Sequence, residues 1–482
     1  MNTSALTIRN FNRYIYKSAA SALQKYVFLL AGLTAVTGSD LHADCSDIQL
    51  LESGMDRTEL ALMDMGSLVD PGPNQRRIVE DAKVFFSPLH CHAVTRIAYV
   101  SEDGDDGQKI AWVGGTIQDL LNIAATSSKA SELNLSQRGV APIYRANVVT
   151  TMVHEATHAA DNLLNFVAPQ RQVDLSERVM ASNDWSSDDL EFARNIVQTN
   201  LLDQGLRHEW EKLHMTAVRL GYAQNYHHGG DRSMSADAII KMGVASGYGG
   251  DEAAEDIAEM ASGILSGRAW TKYGATVPNP PDDLICERMR AEPGPGIPQE
   301  LALIYAKVGL LNSVGLIGDL EYDYCVGNLK VSAPGNGFFT IKDSRQDNAY
   351  TGDVKGTIGQ RSEDGAWVFQ LGASGSFGID GDSRPGRIEL MIPLAAAGEP
   401  RPSFPRGLFN VGHGGASVNI YYTDQGQEKL GVSVESGVLL MSRASTQLIE
   451  GSIFVFRIVN WTSLLAIPEV AGNMRITFKK KN

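Results

Sequence analysis

His154-Glu155-Ala156-Thr157-His158 sets two imidazoles four positions apart, with a carboxylate beside the first. No proline or glycine interrupts the stretch from Ala146 to Phe166, so one helix can run through it. On a helix, residues i and i+4 share a face, and His154 and His158 can then aim two ring nitrogens at one cation. That is how zinc is held by an H-E-x-x-H helix, with the glutamate placed as a general base. At about 100° per residue, Thr150, Thr151 and Asp161 fall near the same face, and Val149, Met152, Val153, Ala156, Ala160 and Leu163 fall on the other. One side packs while the other offers chemistry. The chain carries its own control: after His208-Glu209, Lys212 stands where a second histidine would be, so His208 reads as a surface or packing residue.

A catalytic zinc takes three protein ligands and keeps a fourth position for water. The metzincin arrangement would need a histidine six residues after His158, where Leu164 stands. A downstream helix must supply the ligand instead, and the best segment runs from Tyr248 to Met260. There Glu252, Glu255 and Glu259 share one helical face, opposite Ile257, Met260, Ala261 and Ile264. An acidic stripe of this kind is by itself an ordinary solvated face; its pairing with the histidine helix makes it a ligand candidate.

These two segments resemble the gluzincin-type zinc metallopeptidases of the anthrax lethal factor and Pro-Pro endopeptidase kind. In that family an H-E-x-x-H-x-x-D helix is followed by a tyrosine and then by a Glu-x-x-Ala-Glu helix, whose first glutamate binds zinc. His154, Glu155, His158 and Asp161 match the first motif, and Glu255-Asp256-Ile257-Ala258-Glu259 matches the second, with Tyr248 seven residues ahead of Glu255. The resemblance implies one zinc ion on His154, His158 and Glu255, Glu155 as general base and Tyr248 as donor to the transition state. Glu252 and Glu259 become carboxylates behind the ligands or in the cleft. Asp161 either orients a ligand imidazole or sits on the helix surface. The match covers two segments within roughly residues 145–265, and the interval between them is longer than the family's. A helical insertion over about 167–246 would account for it.

The elements that must position these residues divide near residue 325. Of the 48 glycines, 22 lie in the last 157 residues, while nine of the ten histidines lie before the boundary. Upstream, Val94 to Val100 and Ile110 to Val113 read as a hairpin around an acidic loop, Glu102 to Gly107. Thr116 to Ala125 has helical spacing, a long helix is expected from Ser187 to Leu220, and another from Pro298, with Leu301, Ile304, Tyr305, Val308 and Leu311 on one face. Downstream, Ala366 to Leu371, Arg387 to Ile392, Ser417 to Tyr422, Gly437 to Met441, Ser452 to Val459 and Asn473 to Phe478 read as short strands separated by turns. That is the pattern of a sandwich or jelly roll of about eight strands. The expected fold is an α+β zincin-like catalytic domain with a helical insertion (44–325), followed by an all-β sandwich-like domain (326–482).

The chain has 482 residues, 43% hydrophobic and 20% charged, with a net charge of −14. Such a balance disfavours nucleic acid as a partner and excludes wholesale disorder. The longest apolar run, Tyr26 to Val36, is too short to span a bilayer. Arg9, Arg13, Lys17 and Lys25 precede it and Thr37-Gly38-Ser39 follow, the layout of a signal peptide over residues 1–43 and of a secreted or periplasmic protein. Cys45, Cys91, Cys286 and Cys325 then suggest two disulfides, with Cys45–Cys91 and Cys286–Cys325 preferred among three possible pairings. His90-Cys91-His92 has the look of a metal cluster, but a disulfide explains Cys91 more simply. His227-His228 reads as a polar loop, and Asp103 to Gly107 and Asp380 to Asp382 as turns rather than calcium sites.

The expected activity is hydrolysis of a protein or peptide substrate by a zinc-activated water; the β domain could engage a surface ligand. The alternative is a secreted binding or adhesion protein whose zinc is structural. A hydrolase acting on a non-protein amide, such as a cell-wall peptide crosslink, is a third reading.

Overall fold

The computed structural model describes residues 45–51, 70–100, 111–114, 117–124, 141–171, 185–227, 233–272, 284–291, 301–326, 337–342, 347–351, 353–379, 382–412, 414–444, 448–460 and 474–481. The signal peptide expected over 1–43, the acidic loop Glu102 to Gly107 and Pro298 lie outside them. Two units are distinguished, Met1–Asp44 and Cys45–Asn482, and the second contains every element below.

A short 3-10 turn (Cys45–Asp47) leads into β1 (Gln49–Leu50), α1 (Pro73–Lys83), α2 (Pro88–Ala93), β2 (Arg96–Val100), β3 (Ala111–Gly114), β4 (Ile117–Ala124) and α3 (Ala141–Val167). The four strands form one sheet in the order β1-β2-β4-β3. β2 runs parallel to both β1 and β4, and only the edge strand β3 is antiparallel to its neighbour. Two local expectations change here. β2 and β3 do not form a hairpin, because β4 lies between them. The segment read as a helix from Thr116 is β4 itself: a central strand satisfies its backbone on both edges, a tertiary gain that outweighs helical spacing over eight residues. α3 lies against β3 and β4.

Beyond α3 come α4 (Ser187–Thr199), α5 (Leu206–Arg219), α6 (Ala236–Met242), α7 (Ala253–Lys272), α8 (Leu284–Ala291), α9 (Ala302–Ser313) and α10 (Asp319–Val326). Ser186 caps α4, accepting from the Asp189 amide while Asp189 accepts from the Ser186 amide. The single long helix expected from Ser187 to Leu220 is two helices. The break falls at Asn200 to Gly205, where Leu201 and Gly205 take φ of 52° and 92°. A side chain at Gly205 would drive its Cβ to 1.9 Å from Asn165 Oδ1, so glycine is required there by both backbone and space.

Every residue of α9 is buried. It is not the one-faced helix its spacing suggests, because α5, α7 and α10 approach it from the helical region while β10 and β12 approach from the C-terminal sheet. That sheet comprises β5 (Gly337–Lys342), β6 (Asp347–Thr351), β7 (Asp353–Gln360), β8 (Trp367–Ile379), β9 (Asp382–Ala395), β10 (Gly407–Gly412), β11 (Ser417–Asp424), β12 (Gln427–Ala444), β13 (Leu448–Asn460) and β14 (Met474–Lys481). The all-β character expected after residue 326 is present, but the ten strands form one antiparallel sheet rather than two packed ones. Its order is β6-β5-β14-β13-β12-β11-β9-β8-β7, with β10 also on β12. The ends of that order approach each other, β6 near β8 and both β5 and β14 near β7, so the sheet curls on itself. Phe369 and Leu371 on β8, with Ile388, Leu390 and Ile392 on β9, repeat every second residue and form its core.

Both expected cysteine pairs are at bonding distance. Cys45–Cys91 ties the N-terminal turn to α2, and Cys286–Cys325 ties α8 to α10. No helix among the described residues is long and apolar enough to cross a membrane.

Candidate metal centre

The packing face of α3 is the one the periodicity indicates: Val149, Met152, Val153, Ala156, Ala160 and Leu163 are all fully buried. α7 lies along α3. Both are rich in buried alanine (Ala156, Ala159 and Ala160; Ala254, Ala258 and Ala261), which allows the axes to approach closely. Ser266 Oγ, which donates to Ser262 O, lies 3.1 Å from Thr150 Oγ1 across the pair.

Where the two helices face each other, three lone-pair atoms converge. His154 Nε2 and His158 Nε2 are 3.1 Å apart, and Glu255 Oε2 is 3.2 Å from the first and 3.5 Å from the second. Four-coordinate zinc with bonds of about 2.0–2.1 Å separates its ligand atoms by about 3.3–3.4 Å, so the triangle has the right size for one face of such a site. His154 Nδ1 donates to Glu259 Oε1 at 3.0 Å, which leaves Nε2 of the neutral ring as an acceptor turned towards the other two. Glu255 Oε2 is buried without a hydrogen-bond donor in spite of the nearby imidazoles, whose approach is close but not in bonding geometry. Among the described residues, His154, His158 and Glu255 are the group that could hold a metal ion.

The electrostatics agree. Burial alone would lower the His154 pKa, but the carboxylates of Glu255 and Glu259 beside the ring, with the charge of Glu155, outweigh it and raise it to about 10. Burial would likewise raise Glu255 and Glu259, yet the nearness of the His154 ring, with His158 beside Glu255 and the Ser246 hydroxyl on Glu259, holds both below the usual carboxylate range. In the metal-free protein the pocket takes a proton because it needs a positive charge. A metal cation supplies the same charge at the point where the lone pairs meet.

The remaining residues singled out in the sequence lie as follows. Glu155 is half-buried beside His154. Tyr248, on the segment between α6 and α7, is also half-buried, its ring centroid 6.2 Å from that of His154. Glu259 stands directly behind His154, whereas Glu252 is exposed. Asp161 is a correction on both counts: it neither orients an imidazole nor lies on the surface. It is 1% exposed and accepts from Arg207 Nε at 2.9 Å, Arg207 Nη2 at 2.5 Å and Asn165 Nδ2 at 3.1 Å. Sequence spacing could not show this, since Arg207 comes 46 residues later on α5.

His90 was also missed. It is fully buried, accepts the Ser87 amide at Nδ1 (3.0 Å), and therefore presents its Nε2 proton to Thr157 Oγ1 at 3.0 Å. Thr157 lies between His154 and His158 and passes its own proton to Val153 O. Burial pushes the His90 pKa down to about 3, so the ring stays neutral and keeps this orientation. His92 points elsewhere, to Asp189 at 2.7 Å, and stacks on Phe192, so the His90-Cys91-His92 run is no metal cluster. His208 is exposed, as its lone position implied, and the His227 side chain is exposed as well.

Neither a family model, nor a curated protein, nor a solved structure matches this chain.

Proposed function

We propose that this chain is an exported zinc-dependent endopeptidase. The observation that carries the reading is the meeting of His154 Nε2, His158 Nε2 and Glu255 Oε2 within 3.5 Å of one another, with Glu155 one residue from the first ligand. Two imidazoles and a carboxylate suit zinc, and three protein ligands rather than four are the mark of a catalytic rather than a structural ion. The mixed sheet with its antiparallel edge strand beside α3, and the two disulfides, are consistent with a secreted enzyme of the zincin kind.

Zinc bound there would lower the pKa of a coordinated water towards about 7 and polarise the carbonyl of a substrate. Glu155 takes the proton of the attacking water and returns it to the leaving amine, a role that needs a carboxylate next to a ligand. Glu259 keeps His154 in the tautomer that offers Nε2 to the ion. Tyr248 donates its hydroxyl to the carbonyl oxygen as negative charge develops, a contribution of roughly 3–4 kcal/mol for a well-placed donor.

The test is cleavage of a mixed peptide library by purified protein, against a Glu155→Gln variant of equal zinc content. The expected result is cleavage by wild type and a loss of about 10²–10⁴-fold in the variant. Absence of cleavage by both, with one zinc per chain in each, would overturn the peptidase reading in favour of a binding protein or a non-peptide substrate.

A further inference from the structure

One residue past Glu255 lies a second buried cluster that the proposed chemistry does not use. Asp256 and Lys307 are both completely buried, with Lys307 Nζ donating to Asp256 Oδ2 at 2.5 Å. The same carboxylate oxygen accepts from Trp210 Nε1 at 2.9 Å and Tyr226 Oη at 3.1 Å. Lys307 Nζ also donates to His214 Nδ1 at 2.8 Å, and His214 Nε2 donates in turn to Gln224 O at 2.8 Å. Residues from α5, α7 and α9 and from the segment after α5 thus meet at one ion pair.

The remaining bonds of this cluster lead to the segment that carries Tyr248. Residues 243–250 include Gly243, Gly247, Gly249 and Gly250, so the segment has unusual conformational freedom to lose on ordering. It is held at both ends. Lys307 Nζ donates to Gly243 O at 2.7 Å, and Ala245 N donates to Asp256 Oδ1 at 2.9 Å. Ser246 Oγ donates to Glu259 Oε2 at 2.7 Å while accepting from Gly249 N at 2.9 Å, and His227 N donates to Gly250 O at 2.8 Å. The segment lies so close on α7 that a Cβ at Gly249 would stand 3.2 Å from Asp256 Cα. Buried ion pairs add little to stability over an apolar replacement, so a role in fixing geometry is the one to test.

We infer that Asp256 and Lys307 are positioning residues that clamp the 243–250 segment to α7 and thereby hold Tyr248 against the metal ligands. The inference rests on the role given to Tyr248 above, but the clamp itself can be read without activity.

The experiment is hydrogen exchange by mass spectrometry on the zinc-loaded full chain and on Lys307→Met, combined with kinetics of Tyr248→Phe in both backgrounds. In wild type, peptides covering 243–250 should exchange as slowly as those of α7; free exchange there would overturn the clamp with no variant needed. In Lys307→Met, exchange of that segment should rise at least about tenfold while α3 and the zinc content stay unchanged. kcat should fall about 10- to 100-fold with KM changed by less than about threefold, and Tyr248→Phe should then cost less than about twofold more. Unchanged exchange of the segment, or a full additive Tyr248→Phe penalty, would sink the inference. If wild type cleaves no peptide, the peptidase reading fails, and the exchange arm still decides the clamp.

Discussion

Glu255 and Asp256 are adjacent residues of one helix, both withdrawn from solvent, and their surroundings are opposite. Asp256 meets a donor at each oxygen: an ammonium, an indole, a phenol and a backbone amide. Glu255 Oε2 meets two imidazole nitrogens and no donor in bonding geometry. Burial costs a carboxylate heavily unless a cation or donors offset it. For Asp256 the cation is built into the chain as Lys307, and the result is a fixed scaffold. For Glu255 the nearby groups are two imidazoles, and the counter-charge proposed above is a metal ion from outside the chain.

The contrast is broken most strongly at the ligands. His158→Ala should lower zinc content from one per chain to below about a tenth after dialysis, measured by elemental analysis, because two ligands rarely hold the ion. Lys307→Met should destabilise the protein by about 3–5 kcal/mol in urea melts, with or without zinc, since it strands a buried carboxylate. Glu255→Gln should differ in kind. Its cost should appear mainly in the presence of zinc, where wild type gains about 2.7 kcal/mol at a hundredfold excess over Kd, and shrink when the metal is chelated.

Acid sharpens the comparison from another side. Burial holds both His90 and His214 at a pKa of about 3, far below the 6.5 of an unfolded chain, with the Lys307 charge adding to the effect on His214. Above pH 6.5 both states are neutral and the stability is fully present. As pH falls from 6.5 towards 3, the unfolded chain takes protons that the folded one refuses, so up to about 1.4 kcal/mol per histidine is lost per pH unit. His90→Gln should flatten that slope in urea melts at pH 7, 6, 5 and 4; an unchanged slope would show the ring is not held neutral. The smallest effect belongs to Glu259→Gln, expected to weaken zinc affinity about 10- to 100-fold, with the fold intact by circular dichroism.

The histidine helix was legible because its information is local. Four residues of spacing put His154 and His158 on one face, and the apolar residues between them specify which face packs. Glu255 was legible only through a second motif, since helical periodicity alone left Glu252 and Glu259 on the same face. Glu259 illustrates what spacing can still give: one turn past the ligand, it lands behind His154. Asp161 illustrates what it cannot. Its partner Arg207 and the Asp256–Lys307 pair are separated by 46 and 51 residues, and no local pattern links them. Strand β4 failed for the same reason, because its neighbours on both edges decide its conformation. Gly205 sat inside an apparently continuous helical pattern, and only the crowding of Asn165 against it shows why the chain must turn there. The C-terminal strands were each readable from alternation, whereas the joining of ten strands into one curled sheet depends on pairings that alternation does not encode.

The separation of the two ligand helices also orders events during synthesis. Glu255 is added 97 residues after His158, which at ribosomal speeds is about 5–20 s later. Throughout that interval a nascent chain can present the two imidazoles but not Glu255, so the proposed ligand set is incomplete. Lys307 follows another 52 residues on, so the clamp on the Tyr248 segment closes last. On the proposed assignments, the growing polypeptide thus holds all three metal-binding side chains before the tyrosine is locked in place, and a prematurely released fragment ending near residue 300 would carry the ligands without the clamp.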